Sequence, residues 1–305
     1  MRRFIATLTG VAAATLAAPA LAAPASANTQ AKPAGPLAAL TQQLVKGHGV
    51  KVSSRFVDSA DGRQILGWSE AGTVEVSPSG LTASDITSKF TRYWDPEHAR
   101  EMMKPARDIA FWKESYGSGP YYQPSLPEGK SWIRFTGRHA IKPGPSTLVD
   151  IFDRPLYKAL LATTSVKKPG GKVGGTATTL YEGTISYGTV YKLSQKLHQV
   201  PGWEPDRSLA KVKVHWKLWL GGDLLARRLV TSYEQELAKI TVWKRVIDTT
   251  YSSWGTKVSI TPPPAGTVVD EDDLGTEIPD SRELTTVVPS ATSPGWTAGE
   301  GVYRG

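Results

Sequence analysis

Residues 211–220, KVKVHWKLWL, alternate between polar and apolar side chains along the whole stretch. A period of two is the pattern of an extended strand, so the stretch predicts a β-strand with one apolar and one polar face. The apolar face carries Val212, Val214, Trp216, Leu218 and Leu220. Gly221–Asp223 supply a turn, and residues 224–233 return as a second strand. Consecutive alternating strands joined by tight turns are typical of an antiparallel sheet whose apolar face must be covered.

The first part of the chain shows the same organisation. Residues 50–58 and 64–76 are predicted strands around Ser59–Gly62, which ends in the Asp-Gly pair that hairpin turns favour. Further strands are predicted at 85–94, 107–115, 131–137, 237–247 and 248–261. No internal repeat is visible in the sequence, so these strands predict one β-rich domain.

Two stretches are available to cover the apolar face, because their apolar residues recur every three to four positions. They lie at 37–46 and 147–163. In the second, Asp153 and Pro155 are typical of a helix N-cap and a first helical turn. Residues 167–175, KKPGGKVGG, predict a mobile loop that lacks the Gly-Lys-Ser/Thr ending of a phosphate-binding loop. The sequence leaves open whether the helices pack directly on the sheet or enclose a cavity with it.

The N-terminus has the features of a secretory signal peptide over residues 1–27. It begins with Met-Arg-Arg, continues with an uncharged Ala/Leu/Val-rich run and finishes with small residues. Cleavage is expected after Ala22 or Ala27. We therefore expect an extracytoplasmic protein that is soluble once the peptide has been removed.

The rest of the chain divides by composition. Residues 28–36 are Ala/Pro/Gly-rich and predict a linker, and residues 37–270 predict the folded domain. Residues 271–305 are acidic and rich in Gly, Pro, Ser and Thr, so they predict a disordered tail. Residues 266–305 contain eight acids and two bases, whereas residues 28–265 carry a net charge of +12. A basic body favours anionic partners such as lipid headgroups or nucleic acid, and secretion favours the lipid.

Several chemistries are excluded or lack a recognisable pattern. The 305 residues include no cysteine, which excludes disulfides, Cys-ligated metals, thiol catalysis and thioether-linked lipid anchors. There is no Gly-x-Ser-x-Gly or His-Glu-x-x-His motif, and no two of the five histidines lie three to five residues apart. Residues 270–275, DEDDLG, place Leu274 at a ligand position of a calcium loop and lack its closing Glu. We therefore expect no enzymatic activity, no metal and no cofactor.

The ten tryptophans are compatible with three roles: core packing, the lining of an apolar cargo pocket, or platforms for stacking sugars. Core packing is the commonest of these roles. Trp219 lies on the lysine side of its strand and is the best candidate for an exposed aromatic side chain.

Five segments together resemble a known family. They are 181–185 (YEGTI), 214–220 (VHWKLWL) with 224–228 (LLARR), and 249–258 (TTYSSWGTKV) followed by 260–263 (ITPP). They are similar to an internal strand, a strand–turn–strand unit with a basic return strand, and the closing strand of the LolA/LppX/LprG-like lipoprotein carriers, and the chain resembles an actinobacterial relative of these carriers. The resemblance covers residues 37–270.

The resemblance implies an α+β fold in which helices cover a strongly curved antiparallel sheet, a half-barrel. It implies a hydrophobic cavity that binds a lipid or an acylated molecule, without catalysis, in a monomer with no nucleic-acid partner. A membrane surface or an envelope protein is a further expected partner. Many actinobacterial relatives are anchored through a Cys after the signal peptide, and this chain has none, which favours a freely diffusing carrier.

Two sets of candidate residues follow from this interpretation. The lipid pocket is predicted to involve Leu148, Ile151, Phe152, Leu156 and Leu160 in the helical cover, and Val212, Val214, Trp216 and Leu218 in the sheet. Lys211, Lys213, Arg227 and Arg228 are predicted to meet a headgroup at its rim.

Two alternatives stay open at this point. The same fold would also suit an extracytoplasmic sensor or interaction domain that binds a membrane-protein partner. A secreted sugar-binding protein would use exposed tryptophans instead.

Overall fold

A computed structural model describes residues 33–93, 96–120, 122, 126–199, 204–237 and 241–274. The strands are β1 (His48–Ala60), β2 (Arg63–Ser77), β3 (Gly80–Arg92), β4 (Ala106–Phe111), β5 (Glu114–Ser118), β6 (Trp132–Thr136), β7 (Thr164–Val173), β8 (Thr176–Ser186), β9 (Lys213–Gly221), β10 (Ala226–Leu237), β11 (Thr241–Lys257) and β12 (Val268–Asp270). The helices are α1 (Pro36–Gln43), α2 (Pro96–Met102), α3 (Arg154–Ala162) and α4 (Tyr187–Leu193).

Parts of the predicted organisation lie outside these residues, namely the signal peptide, residues 28–32 of the linker and residues 275–305 of the tail. Among the described helices, none combines the length and the apolar character that crossing a bilayer requires.

All twelve strands belong to one sheet, in the order β12-β6-β5-β4-β3-β2-β1-β11-β10-β9-β8-β7. The sheet consists of two meanders, β1 to β6 and β7 to β11, which meet where β1 pairs with β11. Each neighbouring pair is antiparallel apart from β6 and β12, which are parallel. An antiparallel sheet as the main element of the fold is therefore confirmed.

The connection from β6 to β7 crosses the sheet from one side to the other. Ten inter-strand steps separate these strands in the sheet order, which corresponds to about 48 Å at about 4.8 Å per step. Residues 137–163 make this crossing and include α3. Hydrogen bonds from the backbone N–H groups of Ile141 to Ser115 Oγ and of Ser146 to Glu70 Oε2 attach the crossing segment to side chains of the sheet.

The two faces of the sheet differ in burial. In β1, buried residues alternate with exposed ones from Val50 to Asp58, and β9 alternates in the same way from Lys213 to Leu220. We call the face that carries Phe56 and Trp216 the inner face and the opposite one the outer face. The inner face is covered by α1, α3, α4 and the crossing segment, whose apolar side chains form one core cluster with it.

The hairpin predicted around residues 59–62 is confirmed. Asp61 and Gly62 both adopt positive φ, at 48° and 77°, as a two-residue turn between twisted antiparallel strands requires. The helix start at Asp153 is also confirmed, with Pro155 in the first turn. The helical prediction for 147–153 is wrong, because the helix begins only at Arg154.

The loop predicted at 167–175 is wrong as well, since most of it belongs to β7. The glycines of this segment are explained by a close contact and by a turn. A Cβ at Gly170 would lie 2.9 Å from the ring of Trp219, so the strand passes closely over that side chain. Gly174 and Gly175, with φ of 54° and 79°, form the tight turn into β8. The glycines here therefore reflect the close approach of the Trp219 side chain and the geometry of the turn into β8.

Two strand boundaries also differ from prediction. Residues 107–115 form two strands, β4 and β5, separated by Trp112 and Lys113, and the indole N–H of Trp112 donates to the Leu81 carbonyl at 2.6 Å. The division between 247 and 248 is absent, because β11 pairs continuously there with both neighbours. Asp248 lies opposite Arg55 of β1 and Val230 of β10.

Candidate functional site

The inner face and its helical cover form the largest apolar assembly in the described part of the chain. The sheet contributes Phe56, Trp68, Val214, Trp216, Leu218, Leu229, Ile247 and Tyr251, among others. The cover contributes Leu40, Leu148, Val149, Ile151, Phe152, Leu156, Tyr157, Leu160 and Val190. Both layers belong to one contact network, so any acyl chain that entered between them would have to displace side chains that now touch each other.

Helix α3 is positioned by polar contacts at both of its ends. At its start, the Asp153 carboxylate accepts hydrogen bonds from the backbone N–H groups of Leu156, at 3.4 Å, and Gln195, at 3.2 Å. At its end, Thr163 Oγ1 donates to the Leu160 carbonyl at 2.7 Å and accepts from Trp216 Nε1 at 3.0 Å. The apolar side of α3 is therefore held over β9 by its own capping groups.

A glycine in β8 makes room for Trp216. A Cβ on Gly183 would lie 2.6 Å from the indole ring of Trp216 and 2.2 Å from the carbonyl oxygen of Thr163. Gly183 and Trp216 are directly opposite in the β8–β9 ladder. The indole therefore lies across the neighbouring strand and below the end of α3, at the junction between sheet and cover.

A buried ion pair lies within this otherwise apolar layer. The Arg245 guanidinium donates to both carboxylate oxygens of Asp58, at 2.7 and 2.6 Å, and both side chains are almost fully buried. The guanidinium also lies 5.3 Å from the ring centre of Trp68 and 4.9 Å from that of Trp243. Burial disfavours its charge, but the hydrogen bonds to Asp58 keep the pKa of Arg245 above its ordinary value.

Two tyrosines enclose the same ion pair. Tyr233 lies in edge contact with Tyr187 and Trp243, at centroid distances of 5.6 and 5.4 Å. Burial raises the pKa of Tyr187 to about 12 and raises that of Tyr233 further, even though the charge of Arg245 acts in the opposite direction. Both phenols therefore stay protonated at any physiological pH.

A second polar group lies on the inner face nearer to β4. Glu70 accepts from the indole N–H of Trp68 at 3.4 Å and from the backbone of the crossing segment. Burial, with the charge of Glu70, raises the pKa of Asp108 to about 7, and its buried Oδ1 has no hydrogen-bond partner. Lys196 donates to the carbonyls of Gly144 and Pro145, and burial lowers its pKa. Glu70 thus ties the crossing segment to the sheet, and Lys196 ties it to the segment that follows α4.

The structure brings most of the predicted pocket residues together. Leu148, Ile151, Phe152, Leu156, Leu160, Val214, Trp216 and Leu218 are buried in the core cluster, and Val212 is half-buried against it. Those of the cover and those of the sheet therefore face each other across the same interior.

The predicted headgroup residues are not brought together. Lys211 and Lys213 lie exposed at the start of β9, whereas Arg228 lies opposite Trp219 near its end. Six residues of strand separate the two positions by about 20 Å. Each arginine also has its own carboxylate: Arg227 pairs with Asp223, and Arg228 pairs with Asp248 in two hydrogen bonds of 2.8 and 2.6 Å.

The aromatic side chain predicted to be exposed, Trp219, is half-buried because the guanidinium of Arg228 lies over its ring at 4.9 Å. His215 is exposed on the outer face and lies 3.3 Å from the hydroxyl of Thr184. His215 borders a shallow region of the outer face. An open groove there of about 230 Å³ is lined by Glu182, Lys217 and neighbouring residues of β7 to β10.

Within the described ranges, no group of three or more His, Asp or Glu side chains has an arrangement able to hold a metal ion. Two of the four acids of the failed calcium pattern have other partners, since Asp270 pairs with Arg134 and Glu271 with His139. Leu274 packs against the small cluster around Ile133 and Phe135, so the chain remains in contact with β6 as far as that residue.

Sequence analysis did not single out the polar residues of the inner face. The sequence does indicate that Arg245 lies on the inner face, because a period of two in β11 places it on the same side as Trp243 and Ile247. Glu70 and Asp58 occupy comparable positions in β2 and β1, on the inner side of their strands.

Comparison with known protein families finds none that matches the chain, and comparison with characterised proteins finds no match either. Among solved structures, a DUF1329 family protein from Desulfovibrio piger is similar, with a TM-score of 0.27 and 8% sequence identity over 74% of this chain and 93% of that one. A LolA superfamily protein from Nitrosomonas europaea is similar with a TM-score of 0.23 and 13% identity, over 74% and 93% of the two chains.

Proposed function

We propose that this protein is a secreted, non-catalytic carrier that binds a lipid or an acylated molecule between the inner face of its sheet and the helical cover. The observation that carries the proposal is the apolar core shared by an extended sheet and separate short helices, from which Leu156 and Leu160 face Trp216 and Leu218. The resemblance of the sequence motifs to lipoprotein carriers supports the same function. A helix-covered half-barrel is the form that we propose for the loaded protein.

The covering helices are suited to opening because they are short. α1, α3 and α4 have eight, nine and seven residues. Helices of this length are marginal in isolation, so their stability depends on packing against the sheet. An acyl chain that replaced these contacts would gain about 0.8 kcal/mol per buried methylene, or about 11 kcal/mol for a chain of about 14 methylenes, less the cost of exposing the displaced side chains and of ordering. This exchange of apolar contacts would provide affinity without a specific polar partner.

The first test is extraction of the protein from its native source with organic solvent, with mass spectrometry of the extract and native mass spectrometry of the intact chain. We expect a lipid in near-stoichiometric amount. A folded protein without lipid, which also fails to take up a fluorescent fatty acid, would contradict the proposal. It would favour the interaction-domain alternative, for which a membrane-protein partner should then be captured.

A variant pair in α3 locates the binding face. Leu160→Asp places a charge toward the core, whereas Lys158→Asp places one on the exposed side of the same helix. We expect Leu160→Asp to lose fatty-acid uptake and Lys158→Asp to keep it, with folding of both checked by circular dichroism. If Leu160→Asp stays folded and takes up as much fatty acid as the wild type, the acyl chain binds elsewhere.

A further inference from the structure

Positive charge is concentrated at one end of the sheet. Residues 154–217 contain eleven Lys and Arg and three Asp and Glu, a net charge of +8, which equals that of the whole chain. This stretch forms α3, β7, β8, α4 and β9, and β7 is the outermost strand at this end. The chain therefore has a strongly basic edge, which we define as β7 with the flanking lysines of α3 and β9.

Most of the cations at the basic edge have no carboxylate of their own. Lys168 and Lys217 share one acid, Glu182, at 2.6 and 3.7 Å. Among the described residues, no ion pair involves Lys158, Lys167, Lys172, Lys211 or Lys213. Elsewhere in the sheet, by contrast, Arg107 pairs with Asp85 and Arg228 with Asp248. In the described ion pairs of this edge, a single carboxylate, that of Glu182, thus faces several lysines.

The edge also has the shape to meet a surface. No residue of β7 is buried, and Val166 is 38% exposed beside Lys167 and Lys168. The cations lie on both sides of the strand: Lys158 projects from the exposed side of α3, and Lys213 lies on the outer face of β9. An exposed strand with lysines on both flanks can bring several positive charges to a planar anionic surface.

We propose that the basic edge docks the protein on an anionic lipid bilayer, with the lysines at the phosphate headgroups and Val166 at the interface. Addition of a partner strand is disfavoured, because lysines, Pro169 and adjacent bulges are features that keep an edge strand from pairing. The chain's own residues 275–305 are a poor occupant, since they contain four acids and two bases. The docking depends on surface charge and does not require that the inner face bind lipid.

The test is co-sedimentation of the full chain with vesicles of phosphatidylcholine, with and without phosphatidylglycerol, at low and at physiological salt. The variant Lys167→Gln/Lys172→Gln/Lys213→Gln removes three cations that have no acidic partner. The control Lys51→Gln/Arg55→Gln/Lys89→Gln removes the same charge from exposed positions of β1 and β3. Each lysine near an anionic surface contributes about fivefold to partitioning, so we expect the edge variant to bind more than tenfold more weakly.

The wild type should bind only the phosphatidylglycerol vesicles, lose affinity as salt rises, and behave like the control variant. Equal losses in the two variants would show that diffuse charge and not this edge is responsible, which overturns the proposal. So would binding to single-stranded DNA without binding to vesicles, since it would identify a nucleic-acid surface. Because fatty-acid uptake is measured separately, failure of docking and failure of lipid carriage are distinguishable.

Discussion

Two arginine–aspartate pairs in the sheet share the same bidentate geometry in different surroundings. In the first, the side chains of Arg245 and Asp58 are 6% and 3% exposed. In the second, Arg228 and Asp248 are 38% and 33% exposed. Breaking a buried pair leaves an uncompensated charge in a medium that solvates it poorly, whereas water replaces the partner of an exposed one. The two pairs therefore allow the effect of burial to be measured within one protein.

We expect Arg245→Met to lower the free energy of unfolding by about 3–5 kcal/mol and Arg228→Met to lower it by about 1 kcal/mol or less. Urea denaturation followed by tryptophan fluorescence measures both. If Arg245→Met fails to fold, the double variant Arg245→Met/Asp58→Leu, which removes both charges, should recover a folded protein. Equal losses in the two single variants would show that burial does not determine the stability of this pair.

Asp108 predicts a pH dependence of stability. Its pKa, raised by burial and by Glu70 to about 7, lies above that of an aspartate in the unfolded chain. The folded state therefore binds more protons than the unfolded state between about pH 4 and about pH 7, and the free energy of unfolding falls as pH rises through this window. The contribution of Asp108 to that fall is at most about 1.4 kcal/mol per pH unit.

Asp108→Asn removes the titrating group and should flatten this fall, so that the variant gains stability relative to the wild type as pH rises. Urea denaturation at about pH 5 and at about pH 8 measures the free energy of unfolding of the variant and of the wild type. Asp273→Asn, which removes an exposed carboxylate, serves as the control for the loss of one acid. A profile of Asp108→Asn that parallels the wild type would exclude Asp108 as its source.

At the scale of the elements, sequence periodicity predicts those strands whose two faces differ clearly in polarity. β1, β2 and β9 are predicted for that reason, as is the start of α3 from Asp153 and Pro155. β7 is not predicted, because it is an edge strand without a buried face. Its Gly170 makes room for the ring of Trp219, and Gly174 and Gly175 form the turn that follows. Whether such a segment forms a strand depends on partners that are distant in the sequence, so the residues of the segment alone do not predict it.

The candidate site shows the same limit. Alternation and helical spacing place the predicted pocket residues in one core, since each pattern reports which side of an element is buried. The four predicted headgroup residues were grouped by their basic character, and the strand geometry separates them into two pairs. The polar residues of the inner face are difficult to predict, because their burial depends on partners in other strands, as with Asp58 and Arg245.

Gly183 offers a test of how β8, β9 and α3 fit together. We expect Gly183→Ala to lower the free energy of unfolding by about 1–3 kcal/mol, because the added methyl group would overlap the ring of Trp216 and the Thr163 carbonyl. Gly222→Ala is the matched control, since a Cβ there would meet no atom within 4 Å. Thermal unfolding of both variants measures the difference. Equal midpoints would show that the helix end can move away at little cost.

At the scale of the whole molecule, the sheet and its cover should differ in local stability. The strands between the two edges are connected by ladders on both sides, whereas α1, α3 and α4 depend on apolar packing and a few capping bonds. We therefore expect backbone amides of α1 and α3 to exchange with deuterium faster than those of β1 and β11. Hydrogen exchange followed by mass spectrometry measures this. Exchange of both layers at one common rate would mean that they open only together.

The pairing of β1 with β11 constrains the order in which the parts of the sheet can form during synthesis. Ser54 and Thr249, whose hydroxyls meet at 3.0 Å across this pairing, are 195 residues apart in the chain. During synthesis β1 is made early, yet one of its sides stays without a neighbour until β11 emerges. An unpaired strand side of this kind is a template for association with other chains. The middle of the sheet is thus completed only late in synthesis, and each unfinished chain must be kept from its neighbours until then.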